Sequence, residues 1–297
     1  MNPTRLVVPS STSNLGPGFD TLGLALDWPV RAVVKPAAGL AIELEVANPA
    51  WRKPLLELVT AAVRAFETAA GCKAGLDLAL AGDPPLARGL GSSATYRTAA
   101  ATAANLVCGS PLDPAALLAL VSRLEAHTDN AVPCLLGGLT ASGWDGDRVR
   151  YVRAEVASAF LFVVLAPDRQ LPTSEARMVL PATVPREDAV QNMQRALWLF
   201  RALAENRPDE LRGAFADRLH QPYRLPLVPF LTAVIAAAER AGALGGFLSG
   251  AGSAIVAVTD RAHAEPVARA MLRALEKTGE SGAVRTLAAD NQGTRRE

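Results

Sequence analysis

Segments in which apolar and polar residues alternate run through the first half of the chain. The segment at 42–46 reads Ile-Glu-Leu-Glu-Val, and a period of two predicts a strand that buries one face and exposes the other. Similar short apolar segments predict strands at 5–8, 30–34 and 76–80. The first half should therefore contain a half-exposed sheet.

Helical patterns lie between and after these strands. One is predicted at 54–69, where Pro54 stands in the first turn and costs no hydrogen bond. An alanine-rich helix is predicted at 92–106, and a third at 114–126 with Asp113 as its N-cap. The first half thus mixes helices with strands.

The second half begins after a glycine-rich strand region, a turn and a polar strand, so we place a domain boundary near residue 155. Strands separated by helices without strict β-α-β order favour an α+β sandwich in each half. The predicted elements that flank or follow the boundary are strands at 137–143, 148–153, 160–165, 246–248 and 254–258, helices at 188–205, 231–240 and 262–277, and a last strand at 284–288 that ends the fold.

The charge balance argues against nucleic acid as the main partner. There are 30 Lys and Arg against 29 Asp and Glu, for a net charge of +1. The lysines are Lys35, Lys53, Lys73 and Lys277, and none follows a glycine. A Walker P-loop, which requires Gly-Lys-Ser or Gly-Lys-Thr, is therefore excluded.

The apolar content of 50% does not predict a membrane protein, because every long apolar run is broken before about 18 residues. The first nine residues hold only a three-residue apolar stretch, too short for a signal peptide. Cys72, Cys108 and Cys134 lie far apart in sequence and form no C-x-x-C pair, so we expect small buried thiols. Together these observations favour the cytoplasm.

The segment at 84–94, Pro-Pro-Leu-Ala-Arg-Gly-Leu-Gly-Ser-Ser-Ala, carries the strongest chemical signal. Its glycines can turn backbone amides toward one point, and the helix that follows adds free N–H groups and the positive end of its dipole. It therefore predicts an anion-binding loop. The same letters satisfy the dinucleotide pattern G-x-G-x-x-A, with Asp113 as a ribose-binding acid, but two prolines separate the loop from its strand.

Three further segments accompany this loop. A turn rich in hydroxyl groups spans 9–20, where Asn14 and Asp20 could grip a small polar substrate. The polar segment 125–130 ends a helix, and the glycine-rich loop 245–253 joins two strands. Each alone is also typical of an ordinary turn or a solvated helix end.

Taken together, these segments resemble the signature motifs of the GHMP kinase superfamily over nearly the whole chain. The sequences at 13–26, 89–94, 127–130 and 249–252 are similar to the homoserine kinase family in particular, as are 172–181 and 220–226. The resemblance implies an α+β fold in two domains. These are an ATP-binding domain at 1–155 that is like ribosomal protein S5, and a ferredoxin-like domain at 156–297.

The resemblance also implies a role for particular residues. MgATP would lie in the loop at 85–95, with Ser93 and Glu125 on Mg²⁺ and Asn130 near the attacking hydroxyl. Asn14, Asp20, His127 and Asp129 would surround the amino and hydroxyl end of L-homoserine, while Arg177 and Arg224 would face its carboxylate. Thr173 would also bind the substrate. The implied ATP-binding residues are Pro85, Leu86, Ala87, Arg88, Gly89, Leu90, Gly91, Ser92, Ser93, Ala94 and Thr95.

Several points stay open at this stage. Phosphoryl transfer needs mainly positioning and charge stabilisation, so Asp20 or Asp129 as general base is optional. Arg97 could reach a phosphate, although an exposed helical arginine is the simpler interpretation. The alternatives are a kinase for mevalonate, shikimate or a threonine-like alcohol, a dinucleotide-dependent oxidoreductase, and a nucleotide sensor without activity. A homodimer is common in the family.

Overall fold

The computed structural model describes residues 3–297 and contains two sheets. The larger sheet is formed by strands before residue 155 together with one strand at the C-terminal end: β1 Thr4–Ser13, β2 Leu22–Pro36, β3 Leu40–Glu45, β4 Leu76–Ala81, β5 Leu139–Asp145, β6 Arg148–Ala154 and β11 Arg295–Arg296. Its order is β11-β1-β2-β4-β3, with β5 joined to β2 and to β6. The sheet is mixed: β3 and β4 run parallel, and its other neighbouring strands are antiparallel.

Helices cover the larger sheet and bury its apolar face. Phe66 of the first helix and Ala99 of the second are fully buried in one cluster with Leu78 of β4. The small alanine side chains of the second helix bring its backbone close to the sheet. These helices are α1 Arg52–Ala70, α2 Ser92–Val107, α3 Pro114–Glu125 and α4 Ala131–Leu136.

The smaller sheet is antiparallel throughout, in the order β10-β7-β9-β8. Its members are β7 Leu161–Pro167, β8 Gly245–Leu248, β9 Ile255–Thr259 and β10 Gly282–Leu287. The helices of this half are α5 Thr173–Met178, α6 Arg186–Ala204, α7 Gln221–Arg224, α8 Leu231–Arg240 and α9 Ala264–Glu276. Each half also contains one short 3₁₀ turn, at Pro49–Trp51 in the first and at Pro208–Glu210 in the second.

The central strand β7 is apolar on both faces because each face meets a different core. Val163 points to a cluster with Val234 of α8 and Met271 of α9. Phe162 points to a second cluster that includes Leu24 of β2. This second cluster contains residues from both halves and joins them.

Most predicted elements are confirmed, and Asp113 caps α3 by accepting a hydrogen bond from the amide of Ala116. The prediction of a turn at 9–20 is wrong for residues 9–13, because β1 continues to Ser13. The pairing of β1 with β2 shifts register between Val8 and Ser10. An irregularity there accommodates Pro9, which has no N–H to donate.

Two other expectations also need correction. The strand at 284–288 does not end the fold, since Arg295–Arg296 returns to the larger sheet and pairs with β1. Cys72 and Cys108 are half-buried, and their sulfur atoms lie only 3.0 Å apart. The α+β fold class is as expected, and the boundary near residue 155 stays a prediction.

Among residues 3–297, no helix combines the length and apolar character needed to cross a membrane.

Candidate active site

The glycine loop after β4 requires its glycines for steric reasons. Gly89 and Gly91 both have positive φ angles, of 76° and 61°. A Cβ atom on Gly89 would lie 1.9 Å from the carbonyl oxygen of Ser249, and one on Gly91 would lie 2.0 Å from Oγ of Ser11. The loop therefore packs against two other segments so closely that only glycine fits.

The loop ends at the N-terminus of α2, which no side chain within residues 3–297 caps. Gly91 occupies the N-cap position, and the helical bonding starts with the amide of Thr95 bonding to the oxygen of Gly91. Ser92 turns its hydroxyl away and donates to the oxygen of Pro85 at 2.7 Å. The first amides of α2 are thus left for an external acceptor, at the positive end of the helix dipole.

The second glycine-rich loop, 249–254, braces the first. Ser249 donates from its hydroxyl to the oxygen of Gly89 at 2.7 Å, and the amide of Ala254 donates to the oxygen of Arg88 at 3.0 Å. The amide of Gly250 bonds to the oxygen of Ser13 at the end of β1. Residues from both halves therefore hold the anion-binding loop in shape.

Glu125 ends α3 and faces the start of α2. Ser93 donates to its Oε2 atom at 2.9 Å, and Arg97 forms an ion pair with its Oε1 atom. The interpretation of Arg97 as an exposed helical residue is wrong, since its side chain is only 27% exposed and lines the same cavity as Ser93. A buried carboxylate, a hydroxyl and a guanidinium thus form one cluster.

The segment after α3 supplies an amide, a carboxylate and an imidazole. Asn130 accepts a hydrogen bond from Ser11 at 2.9 Å and donates to Ser13 at 3.0 Å, so β1 fixes its orientation. Nδ1 of His127 lies 2.9 Å from the buried carboxylate of Asp129. Burial lowers the pKa of His127, but Asp129 and neighbouring carboxylates outweigh it, so the pKa lies above its usual value.

A second charged cluster lines the same cavity. Arg177 of α5 makes a two-point ion pair with Asp20, at 2.7 and 3.0 Å, and this contact raises the pKa of the guanidinium. The guanidinium carbons of Arg177 and Arg224 lie 5.8 and 5.5 Å from the ring centre of Phe19. An aromatic face therefore supports both arginines.

Arg224 is 1% exposed and donates to the oxygens of Ala176 and Gly250. Burial, together with the charge of Arg177, lowers the pKa of Arg224 to about 10. Its Nη1 also donates to Nδ1 of His220, which leaves Nε2–H of His220 to donate to the oxygen of Gly16. Burial lowers the pKa of His220 to about 4.

Most of the residues that the sequence singled out meet in one cavity of about 360 Å³. Arg88 does not, because its guanidinium bonds to the backbone oxygens of Leu86, Pro167 and Asp168. Pro85, Ala94 and Thr95 also lie outside the cavity lining. The predicted residues that line it are Asn14, Asp20, Leu86, Ala87, Gly89, Leu90, Gly91, Ser92, Ser93, Glu125, His127, Asp129, Asn130, Thr173, Arg177 and Arg224.

Ser13, Gly250 and Ala251 also line the cavity, although the sequence assigned them no role. Gly250 and Ala251 belong to the second glycine-rich loop, so the motif itself was visible. Its position beside the first loop depends on contacts across more than 150 residues of sequence, and no local pattern indicates such contacts.

This fold and site define a kinase of the GHMP class. The family model of the GHMP kinase N-terminal domain matches residues 57–138, and that of the C-terminal domain matches 187–277. Because homoserine kinases match it at 40% identity over 96% of its length, the chain belongs to the homoserine kinase family within this class. The dinucleotide interpretation of the glycine loop is therefore wrong.

Relatives of the chain match it over almost its full length. It is 40% identical over 290 residues to the homoserine kinase of Moorella thermoacetica, with 96% of this chain and 97% of that protein covered. The homoserine kinase of a Nostoc species is also 40% identical, with 96% of each covered.

Solved structures agree with this fold. The homoserine kinase from Cytophaga hutchinsonii has a TM-score of 0.88 at 25% identity, over 100% of this chain and 98% of that one. A mevalonate kinase from L. major has a TM-score of 0.74 over 95% of each chain. At 14% identity, that second match shows the shared fold alone.

Proposed function

We propose that the protein transfers the γ-phosphoryl group of ATP to the side-chain hydroxyl of L-homoserine, giving O-phospho-L-homoserine and ADP on the way to threonine. One observation carries the proposal. A single cavity joins the uncapped N-terminus of α2 to the Asp20–Arg177 ion pair. The first feature suits a phosphate, and the second suits a small molecule with both an ammonium and a carboxylate group.

ATP would place its phosphates at the glycine loop. The amides from Gly89 to Ser93 would cradle them, and Leu86, Ala87 and Leu90 would line the rest of the nucleotide site. Arg88 would support the loop from outside, because its guanidinium bonds to backbone oxygens of the loop and of β7. Pro85, Ala94 and Thr95 would act only through the shape of the loop and helix.

The donor set beside this loop fits Mg²⁺. Ser93 Oγ and Glu125 Oε2 are hard oxygen atoms 2.9 Å apart, and both line the cavity. One carboxylate and one hydroxyl are few ligands, so phosphate oxygens and water would complete the coordination. When bound, the cation would neutralise charge on the phosphates during transfer.

Binding of the amino-acid substrate would break the ion pair between Asp20 and Arg177 and give each of the two side chains a charged group of the substrate as its new partner. Its ammonium group would take the place of Arg177 on Asp20, and its carboxylate would take the place of Asp20 on Arg177. Arg224 would add a second cation near the carboxylate. Asn14, His127, Asp129 and Thr173 would complete the substrate pocket. Because one ion pair is replaced by two others, the charges of the site stay compensated throughout.

The chain supplies positioning rather than a strong base. As the hydroxyl oxygen bonds to the γ-phosphorus, the bond from that phosphorus to the oxygen of ADP breaks, and the hydroxyl proton passes to a phosphate oxygen and from there to water. Asn130 would face the attacking hydroxyl, since its amide is fixed by Ser11 and Ser13. Asp129 already accepts a hydrogen bond from Asn130 and lies beside His127, so its oxygens already have partners within the chain.

A coupled assay of ADP release tests this function. The substrates are homoserine, threonine, serine, shikimate and mevalonate, each with MgATP. We expect fast turnover with homoserine only. Mevalonate and shikimate lack the ammonium group for Asp20, and serine and threonine carry the hydroxyl one carbon closer to the ammonium and carboxylate groups. Turnover of another alcohol with none of homoserine would refute the substrate assignment and leave the kinase assignment intact.

We further propose that the enzyme acts in the cytoplasm, where ATP is available, as a homodimer. Helix α6 supports the dimer, because Met193, Leu197 and Trp198 are 60%, 72% and 54% exposed on it. Sedimentation of the wild-type protein and of Leu197→Asp tests this. A dimer that Leu197→Asp converts to a monomer is expected, and a wild-type monomer would refute it.

A further inference from the structure

Helix α2 presents Ser93 and Arg97 on one face, a single turn apart, and both reach Glu125. Ser93 donates to Oε2 of the carboxylate, while Arg97 is paired with Oε1. Each oxygen of Glu125 is therefore engaged by a different group of the same helix. This geometry leaves Oε2 beside the hydroxyl of Ser93 and holds Oε1 away from it.

The charges of this cluster cancel. The Glu125 side chain is 4% exposed, so its charge is poorly screened by water and interacts strongly with the guanidinium. A divalent cation that approached without nucleotide would meet a compensated carboxylate and a fixed positive charge. Within residues 3–297, no group of three or more His, Cys, Asp or Glu side chains could hold a metal instead.

We propose that Arg97 is a positioning residue that keeps the Ser93–Glu125 pair from binding a divalent cation until ATP is present. The cation would then enter as its nucleotide complex, because the negative charge of the triphosphate outweighs the single charge of Arg97. The inference rests on the proposed function in one respect, namely that Ser93 and Glu125 are the metal ligands.

Mn²⁺ provides a direct probe, since its free concentration can be followed by electron paramagnetic resonance without any catalytic assay. We expect the wild-type protein to bind Mn²⁺ weakly when nucleotide is absent. Arg97→Gln should bind it at least tenfold more tightly, because the opposing charge is gone. Arg97→Lys, which restores the charge, should again bind weakly.

A second arginine of the chain provides a matched control. Arg64 pairs with Glu67 at 2.7 Å, that glutamate side chain is 6% exposed, and neither residue lines the cavity. Arg64→Gln should leave Mn²⁺ binding at the wild-type level. Adding Glu125→Gln to Arg97→Gln should abolish the gained binding.

Three results would overturn the proposal. These are tight Mn²⁺ binding by the wild-type protein without nucleotide, no gain in Arg97→Gln, and a gain that survives Glu125→Gln. The first needs no variant, so the proposal can be refuted even if Arg97→Gln fails to fold; in that case Arg97→Met, which keeps the length and removes the charge, takes the place of Arg97→Gln. Failure to phosphorylate homoserine would refute the proposed substrate but would not alter the Mn²⁺ measurements.

Discussion

Asp20 and Arg177 meet through two hydrogen bonds, at 2.7 and 3.0 Å, although 157 residues separate them in the chain. Asp20 lies in the turn after β1, and Arg177 lies in the short helix α5. The pair sets an anion and a cation side by side at the cavity. Such an arrangement favours a zwitterionic substrate over a neutral one.

Replacing Arg177 tests the carboxylate assignment. Arg177→Ala should raise KM for homoserine by roughly tenfold to a hundredfold, because a charge-assisted bond is lost. KM for ATP should change little, since the guanidinium of Arg177 bonds to Asp20 and makes no hydrogen bond to the glycine loop. Initial-rate kinetics with each substrate varied in turn gives both constants. Arg218, which pairs with Asp188 elsewhere, is the control; equal effects of Arg177→Ala and Arg218→Ala would contradict the assignment.

Replacing Ser93 tests the metal site. Ser93→Ala should lower kcat by about a hundredfold or more, because the cation would lose a ligand and Glu125 a hydrogen-bond donor. The Mg²⁺ concentration needed for half-maximal rate should also rise. Ser92→Ala is the comparison, since that hydroxyl bonds to the oxygen of Pro85 instead. The assignment fails if Ser92→Ala shifts the Mg²⁺ dependence and Ser93→Ala does not.

The close approach of the two glycine loops predicts a large stability cost for Gly89→Ala. The added carbon would overlap the oxygen of Ser249 at a positive φ angle. The free energy of unfolding should fall by more than about 2 kcal/mol. Urea denaturation measures this. Gly39→Ala, where a Cβ meets nothing within 4 Å, should cost far less; a similar loss in both variants would be inconsistent with the steric explanation.

The burial of His220 predicts how the stability of the protein depends on pH. Its folded pKa of about 4 lies below the unfolded value near 6.5, so its proton binds preferentially to the unfolded chain. Its contribution to stability is complete above pH 6.5 and is lost as the pH falls toward 4. Urea midpoints between pH 7 and 4.5 should show a steeper loss for the wild type than for His220→Gln.

The exposed His263 supplies the control for this measurement. It lies beside Asp260 on the surface, with a side chain that is 49% exposed. His263→Gln should keep the steep loss of the wild type. If His220→Gln and the wild type lose stability in parallel, burial of His220 does not govern the acid response.

Local patterns in the sequence predicted the helices and strands well, because amphipathic periods, proline and an Asp cap act within a few residues. Leu231–Arg240 has the predicted bounds. The turn at 9–20 was misplaced because Pro9 normally interrupts a strand, whereas here a register shift accommodates it. The two-residue strand at Arg295–Arg296 is too short to leave a periodic signal.

The candidate site could be predicted as a set of motifs but not as a set of contacts. Arg97 and Arg88 show the difference. Both are arginines beside the glycine loop. The family resemblance implied that Arg88 binds ATP, and the sequence left Arg97 open between a phosphate contact and an exposed helical position. In the structure Arg97 lines the cavity and pairs with Glu125, whereas the guanidinium of Arg88 bonds to backbone oxygens of Leu86 and of the end of β7. Such choices depend on partners contributed by distant segments.

The bracing of the glycine loop by Ser249 and Ala254 has a consequence for dissection of the molecule. Residues 1–155 carry the whole ATP motif, yet the groups that hold Gly89 and Arg88 in place come from the other half. Neither half of the chain alone therefore contains all the groups that shape this nucleotide site. If the two halves are expressed as separate fragments, each alone should fail to bind ATP, and binding should return only when both are present together.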